Sequence, residues 1–573
     1  MLKFIKDTFS RIISLIVFVL LVFILVVFLL PKKKDLIIED NSILEIRLDK
    51  PILDRTIENS LPEFNGLSFS ATQSLELKEI LDNINRAASD PKIEGIYLRI
   101  SDLNAGITQI DEIRNKLLDF KESGKYIYSY SNSFSQKSYF LNSVADKIFL
   151  HPEGNVELIG ISAGIMFYKE LLDKLELDIQ IIRHGKFKSA VEPFMYNSMS
   201  RENRRQMKML LNDISENIIY SISKSRNILK DDINKAINDL IFINSKACKE
   251  FNLIDEIIYE DQVSESCGID FENKILFQEY MKNTNENNSY KNKIAIIYAS
   301  GAIDLGEGSY NSIGSETTVR AIRKAYTDND VKAIVLRVNS PGGSALASDI
   351  ILREINLAKK EKTVIVSMGD YAASGGYYIA CSADKIFANY STVTGSIGVF
   401  GIIPSTQRFL KENIGLSIDT VNTHRFSDIN SGYRMLTDFE KDKIQNGVEN
   451  IYNTFITHVA NGRSMTISQI DKLAQGRVWS GVEALSLGLV DEIGGLEDAI
   501  LCAAEIAGID KYRIISLPKK VDQLQEIFED IALEKSGYIP KDLIFTINTI
   551  KNLNFLYSDD YIQARIPFFL EIN

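Results

Sequence analysis

The chain repeats itself, and the repeat restricts its fold more than any other feature of its 573 residues. Residues 93–101 read IEGIYLRIS and residues 331–339 read VKAIVLRVN, while VADKIF at 144–149 returns as SADKIF at 382–387. Leu98 and Leu336, and likewise Asp146 and Asp384, stand 238 positions apart, and LIDEI at 253–257 recurs as LVDEI at 489–493 with a spacing of 236. Three matches at nearly constant spacing mean one module present twice. The chain is also too long for a single core, so two domains of similar size are expected. The expected divisions are a stub and membrane anchor at 1–38, a first half at 39–285, a second half at 286–517 and a carboxyl-terminal extension at 518–573. The polar run NTNENNSYKN at 283–292 reads as the linker. Each half alternates β-branched runs such as AIVLRV and TVIVSM with helical periodicity such as SALASDIILREINLAKK, which predicts an α/β fold with parallel strands.

Composition narrows the function. The chain is 45% hydrophobic and 25% charged, a globular balance. Its formal net charge of −12 leaves no broad basic surface to neutralise phosphates, so nucleic acid is not an expected partner. Cys248, Cys267, Cys381 and Cys502 form no CxxC pair, and His151, His184, His424 and His458 are scattered with no HExxH spacing. No metal and no cofactor are expected.

Residues 12–30 are apolar except for Ser14, about the length that crosses a hydrocarbon core at roughly 1.5 Å per residue. A cleavable signal peptide has a shorter apolar region and a small-residue cut site, whereas this run leads into Pro31, Lys32, Lys33 and Lys34. An uncleaved single span in lipid is expected. Lys3, Lys6 and Arg11 on one side balance the three lysines on the other, so charge alone leaves the orientation open.

The chemistry concentrates in the second half. The strand at 333–338 leads into Asn339, Ser340, Pro341, Gly342 and Gly343, then a helical pattern; two glycines there let a ligand approach the backbone and leave N–H groups free for an oxyanion. One strand later comes Tyr371-Ala372-Ala373-Ser374-Gly375-Gly376-Tyr377. Small neighbours leave Ser374 unobstructed as a nucleophile, and the Gly375 N–H suits a second oxyanion donor. A serine in this position alone would more often be a helix N-cap; the neighbouring glycine turn favours the nucleophile.

A serine hydroxyl needs a base, and the second half offers only His424, with Asp428 as its sole candidate orienting carboxylate. The first half offers His184, Lys186 and Lys188 in HGKFKSAVEPF. Aligning Leu177 with Leu416 puts Lys188 opposite Ser427, while the repeat puts Ser374 opposite Gln136, and Gly342 and Gly343 opposite Asn104 and Ala105. Each half has therefore lost what the other keeps, and one composite site needs both. For a lysine to take a proton it must be neutral, which requires burial or a cationic neighbour to lower its pKa from about 10.4.

With these residues in view, the chain resembles the signal peptide peptidase A family in its long, tandem-repeat form. The shared stretches are GKFKSAVEPF, LRVNSPGGS, DYAASGGYYIACSADKIFA, TGSIGVFG and GRVWSGVEALSLGLVDEIGG, and the likeness spans roughly residues 40–517. The resemblance implies two tandem crotonase-like domains related to the Clp protease proteolytic subunit. It assigns the nucleophile to Ser374 and the base to Lys188, gives Ser396 the role of orienting that lysine, and makes Gly342 or Gly343, with Gly375, the oxyanion donors. It further implies signal-peptide remnants and other apolar peptides as substrates, a homotetramer, and a bacterial cytoplasmic membrane location with the catalytic halves on the extracytoplasmic side. A coenzyme A enzyme of the crotonase type and an inert membrane-bound scaffold are the alternatives.

Overall fold

The computed structural model describes residues 38–56, 74–269, 273–282, 289–309, 312–519 and 562–565, with Ser14 and Phe18 standing alone ahead of them. Apart from those two residues, the expected anchor at 12–30 lies outside the described residues. Among the described residues no helix is long and apolar enough to cross a membrane.

The two halves build the same sheet. In the first, the strands lie in the order Glu256–Ile257, Lys147–Leu150, Tyr126–Ser131, Ile93–Leu98, Ser42–Ile46 and Lys274–Leu276, all parallel. The second repeats that order with Glu492–Ile493, Lys385–Ala388, Thr363–Ala373, Val331–Ser340, Lys293–Ser300 and Arg513–Leu517, again all parallel. Parallel strands need crossover helices, and helices on the faces bury the strands on both sides. Residues 294–299 are accordingly all buried, and the helix expected after Gly343 runs Ala345–Ala358. Its N-cap is Ser344, whose Oγ accepts from the Ala347 N–H at 3.2 Å.

The recurring sequence words are hydrogen-bonding devices. Asp146 Oδ2 accepts from the Ile127 N–H and Asp384 Oδ2 from the Val364 N–H, both at 2.8 Å, tying each DKIF strand to its neighbour. Asp255 and Asp491 of the DEI words accept from the Ile148 and Ile386 N–H groups at 2.7 and 2.8 Å. Tyr139 and Tyr377 donate to the Leu253 and Leu489 carbonyls at 2.7 and 2.8 Å. Buried backbone groups at these strand ends require partners, which explains why a drifting repeat kept these residues.

A third sheet crosses between the halves. Its order is Ser312–Gly314, Ala302–Asp304, Gly342–Ser344, Ile562–Arg565, Phe400–Ser405 and Asp178–Arg183. Asp178–Arg183 of the first half runs antiparallel to Phe400–Ser405 of the second, pairing Arg183 with Phe400 and Asp178 with Ser405. Two boundaries differ from the sequence pattern. The strand TVIVSM continues to Ala373 because its far end pairs with Val393–Gly395. The two glycines read as a strand-to-helix turn form, with Ser344, the short strand Gly342–Ser344 of the crossing sheet.

Fully buried Arg337 locks the halves together. It reaches Asp54 at 2.8 Å and Glu112 at 2.8 Å from the first half, and Ser367 Oγ at 2.9 Å from its own. Burial pulls its pKa down, but the two carboxylates outweigh that and raise it, so the guanidinium stays charged. Asp370 adds a second link, accepting from the Thr108 N–H and Oγ1–H at 3.0 Å. Replacing Arg337 leaves two buried carboxylates without their counter-ion. Arg337→Met is expected to destabilise the chain by about 3–5 kcal/mol in denaturant titration; a loss under about 1 kcal/mol would rule out the lock.

Candidate active site

Ser374 stands at the junction of strand Thr363–Ala373 and helix Gly375–Ala380, with φ +57° and ψ −112°. That backbone conformation is costly for a non-glycine residue and turns the side chain out of the strand-to-helix corner. The corner is held by Ser374 N–H donating to the Gly395 carbonyl at 2.7 Å and by Tyr378 N–H donating to the Ser374 carbonyl at 2.8 Å. Ser374 sits in the N-cap position, yet its hydroxyl caps nothing. It faces Lys188 instead.

Lys188 comes from the other half, just after strand Asp178–Arg183, and crosses to the site because that strand is zipped to Phe400–Ser405. Its Nζ lies 2.7 Å from Ser374 Oγ, 3.1 Å from the Ser396 carbonyl oxygen and 3.1 Å from Ser396 Oγ. A neutral amine has one lone pair and two N–H groups, which these three partners match if Ser374 donates to the lone pair and Ser396 accepts twice. Lys188 is 1% exposed, and burial drives its pKa well below the ordinary lysine value. Ser396, at φ +51°, is fixed by its N–H donating to the Arg477 carbonyl at 2.6 Å.

The rivals for the base lie elsewhere. Lys186 is exposed. His184 Nδ1 is 2.6 Å from Glu449 Oε2, and its ring stacks on Tyr452. His424 is exposed beside Thr423 and Ser427, and Asp428 is engaged by Arg434.

The glycine strand lies against the corner that carries Ser374. Gly342 has φ +99°, and a Cβ there would fall 2.8 Å from the Gly375 nitrogen and 2.0 Å from the Ala564 carbonyl oxygen, so only glycine fits. Its own N–H donates to Ser340 Oγ at 3.2 Å. The Gly343 nitrogen lies 3.1 Å from where a Gly375 Cβ would be, which brings the backbone of those two residues side by side. The corresponding place in the first half is plugged. Gln136, opposite Ser374 in the repeat, accepts from the Gly160 N–H at 2.8 Å and donates to the Gly160 carbonyl at 3.2 Å.

Gly476, the first residue of the shared stretch GRVWSGVEALSLGLVDEIGG, contributes to the site although the sequence reading gave it no role. A Cβ at Gly476 would fall 2.5 Å from Lys188 Cβ and 2.7 Å from its backbone nitrogen, so this glycine makes the space in which the lysine sits. Among the described residues no group of three or more His, Cys, Asp or Glu side chains could hold a metal ion.

The sequence profile of Peptidase family S49 matches residues 119–270 and 356–510, one match in each half. Protease 4 of Haemophilus influenzae is 36% identical over 532 residues, covering 88% of this chain and 85% of its own. Protease 4 of Salmonella typhi is 34% identical over 529 residues with the same coverage. Serine protease SPPA, chloroplastic, of Arabidopsis thaliana is 34% identical over 485 residues, covering 81% of this chain and 71% of its own. Among solved structures, a ClpP1 mutant from Listeria monocytogenes aligns with 36% of this chain and 94% of its own, at 17% identity and a TM-score of 0.24.

Gly476→Ala is expected to displace Lys188 and slow labelling of Ser374 by a serine-directed fluorophosphonate by about 100-fold, the scale of loss for a shift near 1 Å. Labelling at the unsubstituted rate would show that Gly476 does not position the lysine.

Proposed function

The chain belongs to peptidase family S49 as a serine peptidase, and from that premise we propose that it cuts peptides with Ser374 as nucleophile and Lys188 as general base. The observation that carries this reading is the 2.7 Å separation of Lys188 Nζ and Ser374 Oγ within one chain, with both side chains out of water. Ser374 Oγ attacks the peptide carbonyl carbon while its proton passes to Lys188 Nζ. Negative charge moves to the carbonyl oxygen, where the Gly343 and Gly375 N–H groups receive it; Gly342 is the weaker candidate because its N–H is already engaged with Ser340. The ammonium of Lys188 then protonates the leaving amine, leaving an acyl ester on Ser374. Lys188 next takes a proton from water, the hydroxide adds to the acyl carbon, and Lys188 returns the proton to Ser374 Oγ as the C–O bond breaks and the acid product leaves. Ser396 orients the amine through its carbonyl and hydroxyl oxygens.

We further infer a membrane setting: residues 12–30 anchor the chain in the cytoplasmic membrane, the catalytic halves lie outside it, and the substrates are signal-peptide remnants and other apolar peptides. The apolar run and its lysine-rich flank support the anchor. The repeat supports assembly into a homotetramer. Asp178–Arg183 pairs with Phe400–Ser405 inside the chain, but the counterparts of these strands in the opposite halves, residues 417–422 and 162–167, form no strands. Ile418, Val421 and Met166 on them are exposed, Val421 at 99%. The same pairing made between copies would join chains head to tail, and such contacts form a ring when the rotation between copies closes.

Three experiments test these readings. Ser374→Ala and Lys188→Arg are each expected to lower kcat/KM on a fluorogenic peptide by about 10³-fold or more. In the unsubstituted enzyme kcat/KM should fall as pH drops through the depressed Lys188 pKa, because protonation removes the base; a rate that rises on acidification overturns that role. Val421→Asp is expected to convert the assembly to monomers in sedimentation velocity, and an unchanged sedimentation coefficient would contradict the proposed contact.

A further inference from the structure

A cavity of about 430 Å³ lies in the seam between the halves. The first half contributes Asp54 and Arg55, just after the short strand Ile52–Leu53, and the start of helix Ile107–Glu122. The second half contributes Tyr298 and Ser300 from strand Lys293–Ser300, and Ile313 from the edge strand of the crossing sheet. Ser374, Lys188 and the glycine strand are not among its walls.

Three polar atoms of the lining residues have no hydrogen-bond partner among the described residues: Arg55 Nε, the Tyr298 hydroxyl and Ser300 Oγ. Tyr298 is only 7% exposed, and the Arg55 guanidinium sits 5.4 Å from the centre of its ring. Residues two apart on a strand share a face, so the two hydroxyls belong to one wall. Leaving a buried polar group unpaired costs about 1–3 kcal/mol, and native structures rarely do so without a reason. All three groups can donate. The acidic groups nearby are already committed. Asp54 accepts from Arg337 Nε at 2.9 Å and from Asn339 Nδ2 at 2.6 Å, and Asp370 accepts from Thr108 N–H and Oγ1–H at 3.0 Å. Glu76, the acidic neighbour of Arg55, does not line the cavity and accepts from Thr56 N–H and Oγ1–H at 3.2 Å. One partly buried guanidinium beside two hydroxyls suits a single negative charge, because an arginine Nε–H and Nη–H grip a carboxylate side-on. Ile52, Leu53, Ile313 and Pro518 line the cavity with apolar surface, which suits a hydrocarbon chain.

We propose that this cavity binds an apolar carboxylate, gripped by Arg55 of the first half and by Tyr298 and Ser300 of the second. A ligand held from both sides ties the halves together and adds to their stability. It does so beside Asn339, which also lines the cavity and whose Oδ1 accepts from the Tyr371 N–H at 3.1 Å, three residues ahead of Ser374. Two sources offer this chemistry, the free carboxyl end of an apolar peptide and a fatty acid.

Isothermal titration of the full chain with N-acetyl-leucyl-leucine and with octanoate separates the sources. At least one probe is expected to bind, about tenfold or more tighter than its uncharged amide. Arg55→Met is expected to weaken that binding by about tenfold, and Tyr298→Phe by about fivefold. Tyr298→Phe removes only a hydroxyl without a partner, so the chain without probe should keep its melting temperature, while the rise that the probe gives should shrink. The same isotherms are expected with Ser374→Ala, since the site does not use the nucleophile. Binding of the dipeptide alone assigns the site to peptide ends, binding of octanoate alone assigns it to fatty acids, and binding of both assigns it to their shared chemistry; each supports the site. No saturable binding of either probe, equal binding of the amides, undiminished binding to either variant, or inorganic phosphate binding as tightly as the better probe would overturn it.

Discussion

An amine held out of water against a hydroxyl, each from a different copy of the same module, is the contact on which the rest of the structure converges. Lys188 cannot reach Ser374 unless the first-half strand Asp178–Arg183 is paired to the second-half strand Phe400–Ser405. That pairing in turn needs the halves held at fixed separation, which the Arg337 cluster and the Asp370 to Thr108 link provide. Burying a charged ammonium without a carboxylate is severely unfavourable, so burial drives the Lys188 pKa well below its ordinary value and favours the neutral amine that the proposed base role requires.

Duplication followed by loss explains why the molecule has this form. One copy kept Ser374 and the glycine strand and the other kept Lys188, so neither half contains the proposed set alone. Gln136 shows how the vacated position was settled, since its side-chain amide satisfies both backbone groups of Gly160 where a serine would have stood. The asymmetry reaches the repeated strand as well. Arg337 became a fully buried clamp, whereas its counterpart Arg99 stays partly exposed beside Glu260.

Much of this was legible in the sequence, and what escaped did so for physical reasons. The parallel α/β order could be read from the alternation of β-branched runs and helical periods, because burial of both strand faces leaves that mark on composition. Ser374 and a base from the first half could be paired because their losses in the repeat are complementary, while the choice of Lys188 over Lys186 and His184 rested on the family resemblance. Gly476 was harder: a glycine needed for the space it leaves looks like any turn glycine until its neighbour is known. Arg337 offered a signal, a cation within an apolar strand, which implies buried partners but does not name Asp54 and Glu112. The strand Ile562–Arg565 had none, since it has no counterpart in the repeat and its form depends on two edges contributed by residues more than 150 positions away.

The protonation state of Lys188 is the most direct point of test. Isotope-edited NMR of the lysine side chains, with Lys188 assigned by substitution, would give its titration midpoint in the intact chain. A midpoint well below that of the solvated lysines is expected, with an amine uncharged at the pH of activity. A midpoint near the ordinary lysine value of about 10.4 would contradict the buried neutral base and the hydrolytic mechanism built on it.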